Sequence, residues 1–401
     1  MIEDPGRLDI PLEHVVRDWL EGGGGALGAA ARVALTPAAW CYGAAQTLRR
    51  RAFESGCLRS VDAGVPVVSI GNLTAGGAGK TPAAAWLLRR LLAAGRRPGV
   101  LLRGYRAGTA KTLPKGRAPA SQDDAARDPA RGSDEAQWYL ESIPGVLVEV
   151  DADRVAGARR AVEAGADMLV LDDGFQHARL RRDFDLVLVD AAAPAPARAF
   201  GRWGAGRCFP AGLMREPWSA LARADAVVLT RTDQAGVARA LRWEALLRER
   251  FPALPLYRAR HEPGRLADLS GRPVAGGLSA LAGRRVAAAA GIGRPEAFAA
   301  TLTSLGADVK RLTRFPDHHG YRPGDIDLMR LAAAVNAAHW VTTEKDAVKL
   351  RALIPADSPE RAGIWVLGVD MKIDGDDALT AAIQACARPS GHLAKRHSGT
   401  A

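Results

Sequence analysis

Lys80 and Thr81 close the stretch VSIGNLTAGGAGKTP at 68–82, and their placing after three glycines suits a loop that wraps phosphate. Gly76, Gly77 and Gly79 reach backbone conformations closed to other residues, so their N–H groups can turn toward phosphate oxygens. A helix starting near Lys80 adds the positive end of its dipole. Lys80 then reaches the β- and γ-phosphates of a nucleotide, and the Thr81 hydroxyl is a ligand for Mg2+. The general spelling of such a loop has glycine where Thr74 stands; with Ala75 and Ala78, the candidate phosphate-binding run is 74–81. The plainer alternative is a tight strand-to-helix turn with a chance Gly-Lys-Thr.

Other stretches add candidate groups. In LVLDDGFQH, Asp172 and Asp173 end an apolar run, at the edge of a parallel sheet where ligands bind. Adjacent carboxylates raise each other's pKa unless a cation lies between them, so this pair is a second candidate for Mg2+ or, failing that, a strand-end turn. In GSDEAQWYL, Asp134 and Glu135 open a helix and either cap it or face a site. FPDHHGYR places two neighbouring histidines beside Asp317. Neighbours ligate one metal poorly, so a single histidine tuning a distant carboxylate is the chemical reading, and a plain surface loop the other. GRWGAGRCFPAGLMREPWSAL gathers Arg202, Arg207, Arg215 and Glu216 among Gly and Pro, a composition suited to a phosphate-facing wall. In VTTEKDAVKL, Lys345 and Asp346 either touch a base or phosphate or sit on an exposed helix start.

These groups need a scaffold. Short apolar runs at 65–70, 145–150, 166–173, 184–190 and 224–230 alternate with helical segments, which predicts a mostly parallel sheet with helices on both faces. The alternation breaks near 253–283, where LPLYRARHEPGRLADLSGR suits extended, hairpin-like strands, and resumes beyond it. The expected order is an N-terminal extension at 1–24, an amphipathic helix at 25–56 and a phosphate-loop domain at 57–252. A β-ribbon linker at 253–271, a smaller α/β domain at 272–388 and a disordered tail at 389–401 complete it. Residues 106–132 are polar and dotted with Pro and Gly, as in a mobile surface loop.

With 401 residues, 48% apolar and 25% charged, the chain reads as globular, and its charge of +11 favours anionic partners. The basic residues form no stripe interleaved with aromatics, which argues against nucleic acid. Four cysteines without paired spacing argue against a disulfide framework. Between residues 26 and 46 the only charge is Arg32, Pro37 lies midway, and Arg49, Arg50 and Arg51 follow. Such a helix lies in a membrane interface or packs on its own domain; spanning would need about 20 strongly apolar residues.

Taken together and in this order, GNLTAGGAGKTP, LDDGFQH, GRCFPAGLMREP, FPDHHGY and VTTEKDAVKL resemble the tetraacyldisaccharide 4'-kinases of Gram-negative bacteria, over roughly residues 19–386. The resemblance implies a P-loop kinase with two α/β domains joined by a β-ribbon. It implies transfer of the γ-phosphate of ATP, with Mg2+, to the 4'-hydroxyl of tetraacyldisaccharide 1-phosphate, giving lipid IVA in lipid A biosynthesis. A peripheral place on the cytoplasmic face of the inner membrane, through the N-terminal helix, is implied as well. Residue by residue, it implies that Lys80 and Thr81 serve the phosphates, that Asp172, Asp173 and Glu216 lie near the metal, and that Arg215 offsets the charge of the moving phosphoryl. It implies Asp134 as general base supported by His318, and Tyr105, Glu135, Gln176 and His177 on the substrate side. The chain departs from the family pattern at Ser133 and Ala136, where Gly and Pro are usual, and at Leu213 and Met214, where Pro and Leu are usual. An NTPase that drives a partner's conformational change is the rival within the same fold, and an acceptor-dependent rate separates the two.

Overall fold

The computed structural model describes residues 19–20, 23–104, 133–193, 207–317, 319–336 and 338–386. Tyr105, Arg202, His318, the 106–132 segment and the tail from 389 fall outside them. Two helices come first, α1 (Gly25–Ala34) and α2 (Thr36–Glu54), so the single helix expected at 25–56 is broken at Leu35, with Pro37 in the first turn of α2. The first α/β unit follows: β1 (Val67–Asn72), α3 (Lys80–Ala93), β2 (Pro98–Leu102), α4 (Asp134–Ser142), β3 (Leu147–Val150), α5 (Arg154–Glu163), β4 (Met168–Asp172), β5 (Phe184–Asp190), β6 (Ala226–Thr230), α6 (Thr232–Ala235) and α7 (Val237–Arg250). After β7 (Leu256–Asp268) the second unit holds β8 (Arg285–Ala290), α8 (Pro295–Ser304), β9 (Asp308–Arg314), α9 (Pro323–Val335), β10 (His339–Thr343), α10 (Glu344–Leu353) and α11 (Glu360–Gly363). β11 (Ile364–Ile373) and α12 (Asp376–Cys386) end the chain's described part.

The strand order is β3-β2-β4-β1-β5-β6-β7-β11-β10-β8-β9, and every pairing is parallel except β7 with β11. Every residue of β1, β4 and β5 is buried, as strands covered by helices on both faces must be. On one face, α3 lays Ala83, Leu87 and Leu91 against Ile70, Val170 and Leu186, each fully buried. A side chain such as Leu87 contributes roughly 1.5–3 kcal/mol by leaving water.

The break near residue 253 is a single long strand rather than a hairpin. β7 begins beside β6 at Leu256 and then pairs antiparallel with β11 from Ala259 to Asp268. Its partner lies a hundred residues downstream, which local sequence pattern does not reveal. β11 is likewise shared: Ile364 to Leu367 extend the second sheet beside β10, and Val369 to Ile373 lie along β7. α12 then returns to the first unit, where Leu379 and Ile383 complete the core beneath α3, and Arg90 pairs with Asp376 and Asp377. The last helix within 272–388 thus packs on the first sheet.

Candidate active site

The phosphate-loop candidate leaves β1 at Asn72 and enters α3 at Lys80. Thr74 is not in a turn. It forms an antiparallel bridge with Met214, flanked by Ala75 N–H donating to the Leu213 carbonyl and Arg215 N–H donating to the Leu73 carbonyl, both 2.7 Å. An extended, paired position favours a β-branched residue over glycine, which accounts for threonine in this spelling. The turning falls to Gly76 and Gly79, with φ of 109° and 90°, where glycine is needed. The Thr230 hydroxyl fixes the loop by donating to the Ala78 carbonyl, 2.9 Å. Lys80 Nζ lies 3.3 Å from the Gly76 carbonyl, 3.4 Å from Asn72 Oδ1 and 3.7 Å from Asp173 Oδ1.

The same bridge sets Arg215 beside the acidic pair. Arg215 contacts both oxygens of Asp173 at 2.8 Å. Burial would raise the Asp173 carboxyl, but Lys80 and Arg215 hold it below its ordinary value. Asp173 has φ of 60°, so its backbone turns out of the strand just after Asp172. Asp172 is buried, and the Tyr139 hydroxyl donates to its Oδ2 at 2.8 Å while lying 3.4 Å from the Thr81 carbonyl. Burial, with Glu135 beside it, pushes Asp172 up to about 6. Two neighbouring carboxylates and the Thr81 hydroxyl are the oxygen donors a hard divalent cation takes. Among the described residues no three His, Cys, Asp or Glu converge into a closed metal cage. The carboxylate and hydroxyl oxygens present are the donors Mg2+ takes, and Mg2+ keeps several waters of its own.

α4 carries Asp134 and Glu135 in its first turn behind a true cap, the Ser133 hydroxyl accepting from Ala136 N–H at 3.4 Å. The serine at 133 and the non-proline residue at 136 act together, because proline has no N–H to give. Glu135 pairs with Lys345 (3.2 Å) and Asp134 with Lys349 (3.0 Å), both lysines reaching over from α10 of the second unit. Burial works to discharge Lys345 but is outweighed by Glu135, Asp317 and Asp172, so its ammonium is held well above its ordinary pKa.

Lys80, Thr81, Glu135, Asp172, Asp173, Arg215 and Lys345 line a cleft of about 870 Å3 between the two units. Its floor is the phosphate loop with Asp172, Asp173 and Arg215; its walls include Glu135, Gln176, His177, Lys345 and, from α2, Tyr42, Gln46 and Arg49. Gln176 Nε2 donates to the Asn72 carbonyl, and the Gln176 carbonyl accepts from Arg49, so this wall is tied to both the loop and α2. Burial and the nearby Arg154, Arg182 and Arg49 lower His177 to about 4, leaving a neutral imidazole. The second unit leans directly on the loop: a Cβ on Gly293 would come within 2.8 Å of Gly77 N. His261 of β7 lies against Gly79 and is lowered to about 3 by burial and Arg231.

The structure thus brings together Lys80, Thr81, Asp172, Asp173, Arg215, Glu135, Gln176 and His177; Asp134, next to Glu135 in the chain, does not line the cleft and pairs with Lys349. Glu216, expected near the metal, is not among them. Both its oxygens are taken by Arg223, at 2.7 and 2.9 Å, and Arg223 in turn lies over the Phe175 ring and donates to the Phe175 carbonyl. Burial against a fixed guanidinium turns Glu216 away from the cleft and makes it a brace behind the Asp-Asp-Gly-Phe turn. The second histidine of FPDHH, His319, bonds Asp325 of its own unit at 2.9 Å. Sequence reasoning missed Tyr139 and Lys349, and also Arg154, whose buried guanidinium donates to the Asp172 carbonyl at 3.2 Å and is lowered to about 10 by burial. Only helical spacing from Glu135 to Tyr139 and from Lys345 to Lys349 pointed toward the first two.

Comparison with known proteins agrees with this geometry. The family profile described as tetraacyldisaccharide-1-P 4'-kinase matches residues 31–388. The tetraacyldisaccharide 4'-kinase of Anaeromyxobacter sp. (strain K) is 43% identical over 370 residues, covering 92% of this chain and 94% of its own. That of Syntrophus aciditrophicus (strain SB) is 40% identical, covering 77% and 82%. The crystal structure of LpxK from Aquifex aeolicus in complex with ATP superposes with a TM-score of 0.65 at 26% identity, covering 89% of this chain and 99% of that one. The chain belongs to the tetraacyldisaccharide 4'-kinase family.

Proposed function

We propose that this cleft transfers the γ-phosphoryl group of ATP to the 4'-hydroxyl of tetraacyldisaccharide 1-phosphate, yielding lipid IVA. The observation that carries the reading is the junction at Thr74 and Met214, which sets Arg215 and Lys80 on either side of Asp173 at the mouth of the phosphate loop. Lys80 and the loop amides from Gly76 onward hold the β- and γ-phosphates, the Ala75 N–H being taken by the Leu213 carbonyl. Thr81 and Asp172, with Asp173 next to them, would hold Mg2+, which supplies charge neutralisation between the phosphates. Arg215 offsets charge on the phosphoryl group in flight, and its bond to Asp173 keeps its guanidinium aimed at the loop. Asp134 receives the proton of the sugar hydroxyl, with His318 as its support, and Glu135, Gln176, His177 and Tyr105 form the acceptor side. Positioning and charge stabilisation contribute more than the base.

The acceptor is a lipid, and α1 and α2 offer it a landing surface. Leu27, Val33, Trp40 and Leu48 are exposed at 58–70%, and Arg49 and Arg50 follow. No helix among the described residues is long and apolar enough to cross a membrane. We therefore infer a peripheral mode at the cytoplasmic face of the inner membrane, with α2 forming both the contact surface and one wall of the cleft. The decisive assay follows radiolabelled phosphate from ATP into the lipid disaccharide. Transfer should require the acceptor, and Lys80→Ala should reduce kcat/KM by on the order of 10²–10⁴. ATP hydrolysis indifferent to the disaccharide would sink the reading.

A further inference from the structure

The motif VTTEKDAVKL has no place in the chemistry above, yet it is built into the cleft. α10 starts on a firm footing in its own unit. The Thr343 hydroxyl caps it, and the buried Asp346 accepts from Thr343 Oγ1 (2.7 Å) and from Gly291 N–H (3.0 Å). Gly291 belongs to the same turn as Gly293, which lies on the phosphate loop. From this anchored helix, Lys345 and Lys349 project one turn apart on one face. That face meets the start of α4 in the other unit. Lys345 Nζ lies 3.2 Å from Glu135 Oε1, and Lys349 Nζ lies 3.0 Å from Asp134 Oδ2. Lys349 also donates to the His319 carbonyl at 2.9 Å, and its side chain is only 9% exposed, so this is a fixed contact rather than a loose surface pair. Between the two lysines, Val348 is buried in the first unit's core. One turn further on, Arg351 meets Glu141 at 2.6 Å at a more exposed edge.

We propose that Lys345 and Lys349 are positioning residues for phosphoryl transfer: they seize the Glu135–Asp134 pair from the opposite unit, so that the acidic helix start is fixed over the phosphate loop only when the two units close. This rests on the function proposed above. Closure would then act through two charges, and the order of α4 would depend on a helix more than two hundred residues away in sequence. It also gives both lysines of the motif a task, while Asp346 accepts from Gly291 N–H and ties the same helix to the turn that touches Gly77.

The test compares Lys345→Met, Lys349→Met, Lys349→Arg and Arg351→Met in the full-length protein. Lys349→Met should lower kcat by on the order of 10²-fold, the scale of a misplaced reacting group, while KM for ATP stays near its wild-type value. Lys349→Arg should restore most of the rate, because arginine keeps the charge and the reach. Arg351→Met should leave kcat close to wild type. Asp134→Asn combined with Lys349→Met should be little worse than either alone, since both act on one pair. Independently of activity, amide hydrogen exchange at 134–139 should quicken in Lys349→Met and Lys345→Met. Full kcat in Lys349→Met, or an equal loss in Arg351→Met, would overturn the proposal, the latter by reducing the contact to general stapling. If the wild type shows no acceptor-dependent transfer, the proposed function fails, and unchanged exchange at 134–139 would by itself overturn the clamp.

Discussion

Asp172→Asn should make the protein more stable and less active. The fold holds Asp172 at about 6 against an ordinary 3.8, because it is buried and Glu135 is beside it. That difference is about two units, or about 3 kcal/mol at roughly 1.4 kcal/mol per unit. The sign follows from proton counting. Between 3.8 and about 6 the folded chain keeps a proton that the unfolded chain has released, so stability falls as pH rises through this window and stays lowered above it. Asparagine has no proton to lose, keeps the shape, and still offers an oxygen to the Tyr139 hydroxyl. Thermal melts of wild type and variant without nucleotide or Mg2+, at intervals from pH 4.5 to 8, read the effect directly. The variant should melt higher at pH 8, by an amount worth up to about 3 kcal/mol, and the two curves should converge toward pH 4.5. Transfer to the disaccharide should meanwhile fall by on the order of 10²-fold or more. A gap that does not change with pH, or a variant that melts lower than wild type at pH 8, would refute the reasoning.

Glu216→Gln should lower the melting temperature, since weakening a buried carboxylate–guanidinium pair costs up to about 3 kcal/mol, and should leave the Mg2+ concentration for half-maximal rate unchanged. A marked rise in that Mg2+ concentration would return Glu216 to the metal. Gly293→Ala puts a methyl group within 2.8 Å of Gly77 N, so KM for ATP should rise by roughly tenfold or more in steady-state kinetics, and the melting temperature should fall by the equivalent of about 1–3 kcal/mol as the backbone shifts. Thr74→Gly, which restores the general loop spelling, should cost about 0.5–1 kcal/mol in denaturant titrations and improve neither kcat nor KM, because residue 74 pairs with Met214 and does not turn.

The first unit was legible because its signals are local. Its buried strands carry short runs rich in apolar residues, and 184–190 was placed to the residue. The glycine spacing and the acidic strand end likewise announced the phosphate loop and its neighbour. What escaped the sequence depends on pairings across long separations. The extended residue at Thr74 needs Met214, 140 positions away, to explain it. β7 looks like half a hairpin until β11 is known. Glu216 sits next to Arg215 in the chain, yet the two side chains diverge, one to Asp173 and the other to Arg223. Adjacency in a motif said nothing about which of them faces the cleft. Lys345 read as either a contact to a base or phosphate or an exposed helix start, and Lys349 was not singled out, because the partners of both belong to the other unit.

The return of α12 to the first unit has a consequence for how the chain comes to be folded. During synthesis, α3 emerges some three hundred residues before Leu379 and Ile383, which share its hydrophobic core. The N-terminal half therefore cannot finish its own hydrophobic core as it leaves the ribosome. The intervening second unit can assemble first, and the final helix then closes the molecule like a latch fitted last. A chain cut short before residue 376 would lose more than a terminal ornament. It would leave the core beside α3 incomplete, and a faulty messenger or a clipped C-terminus would be marked for aggregation or proteolysis rather than left as a weak enzyme.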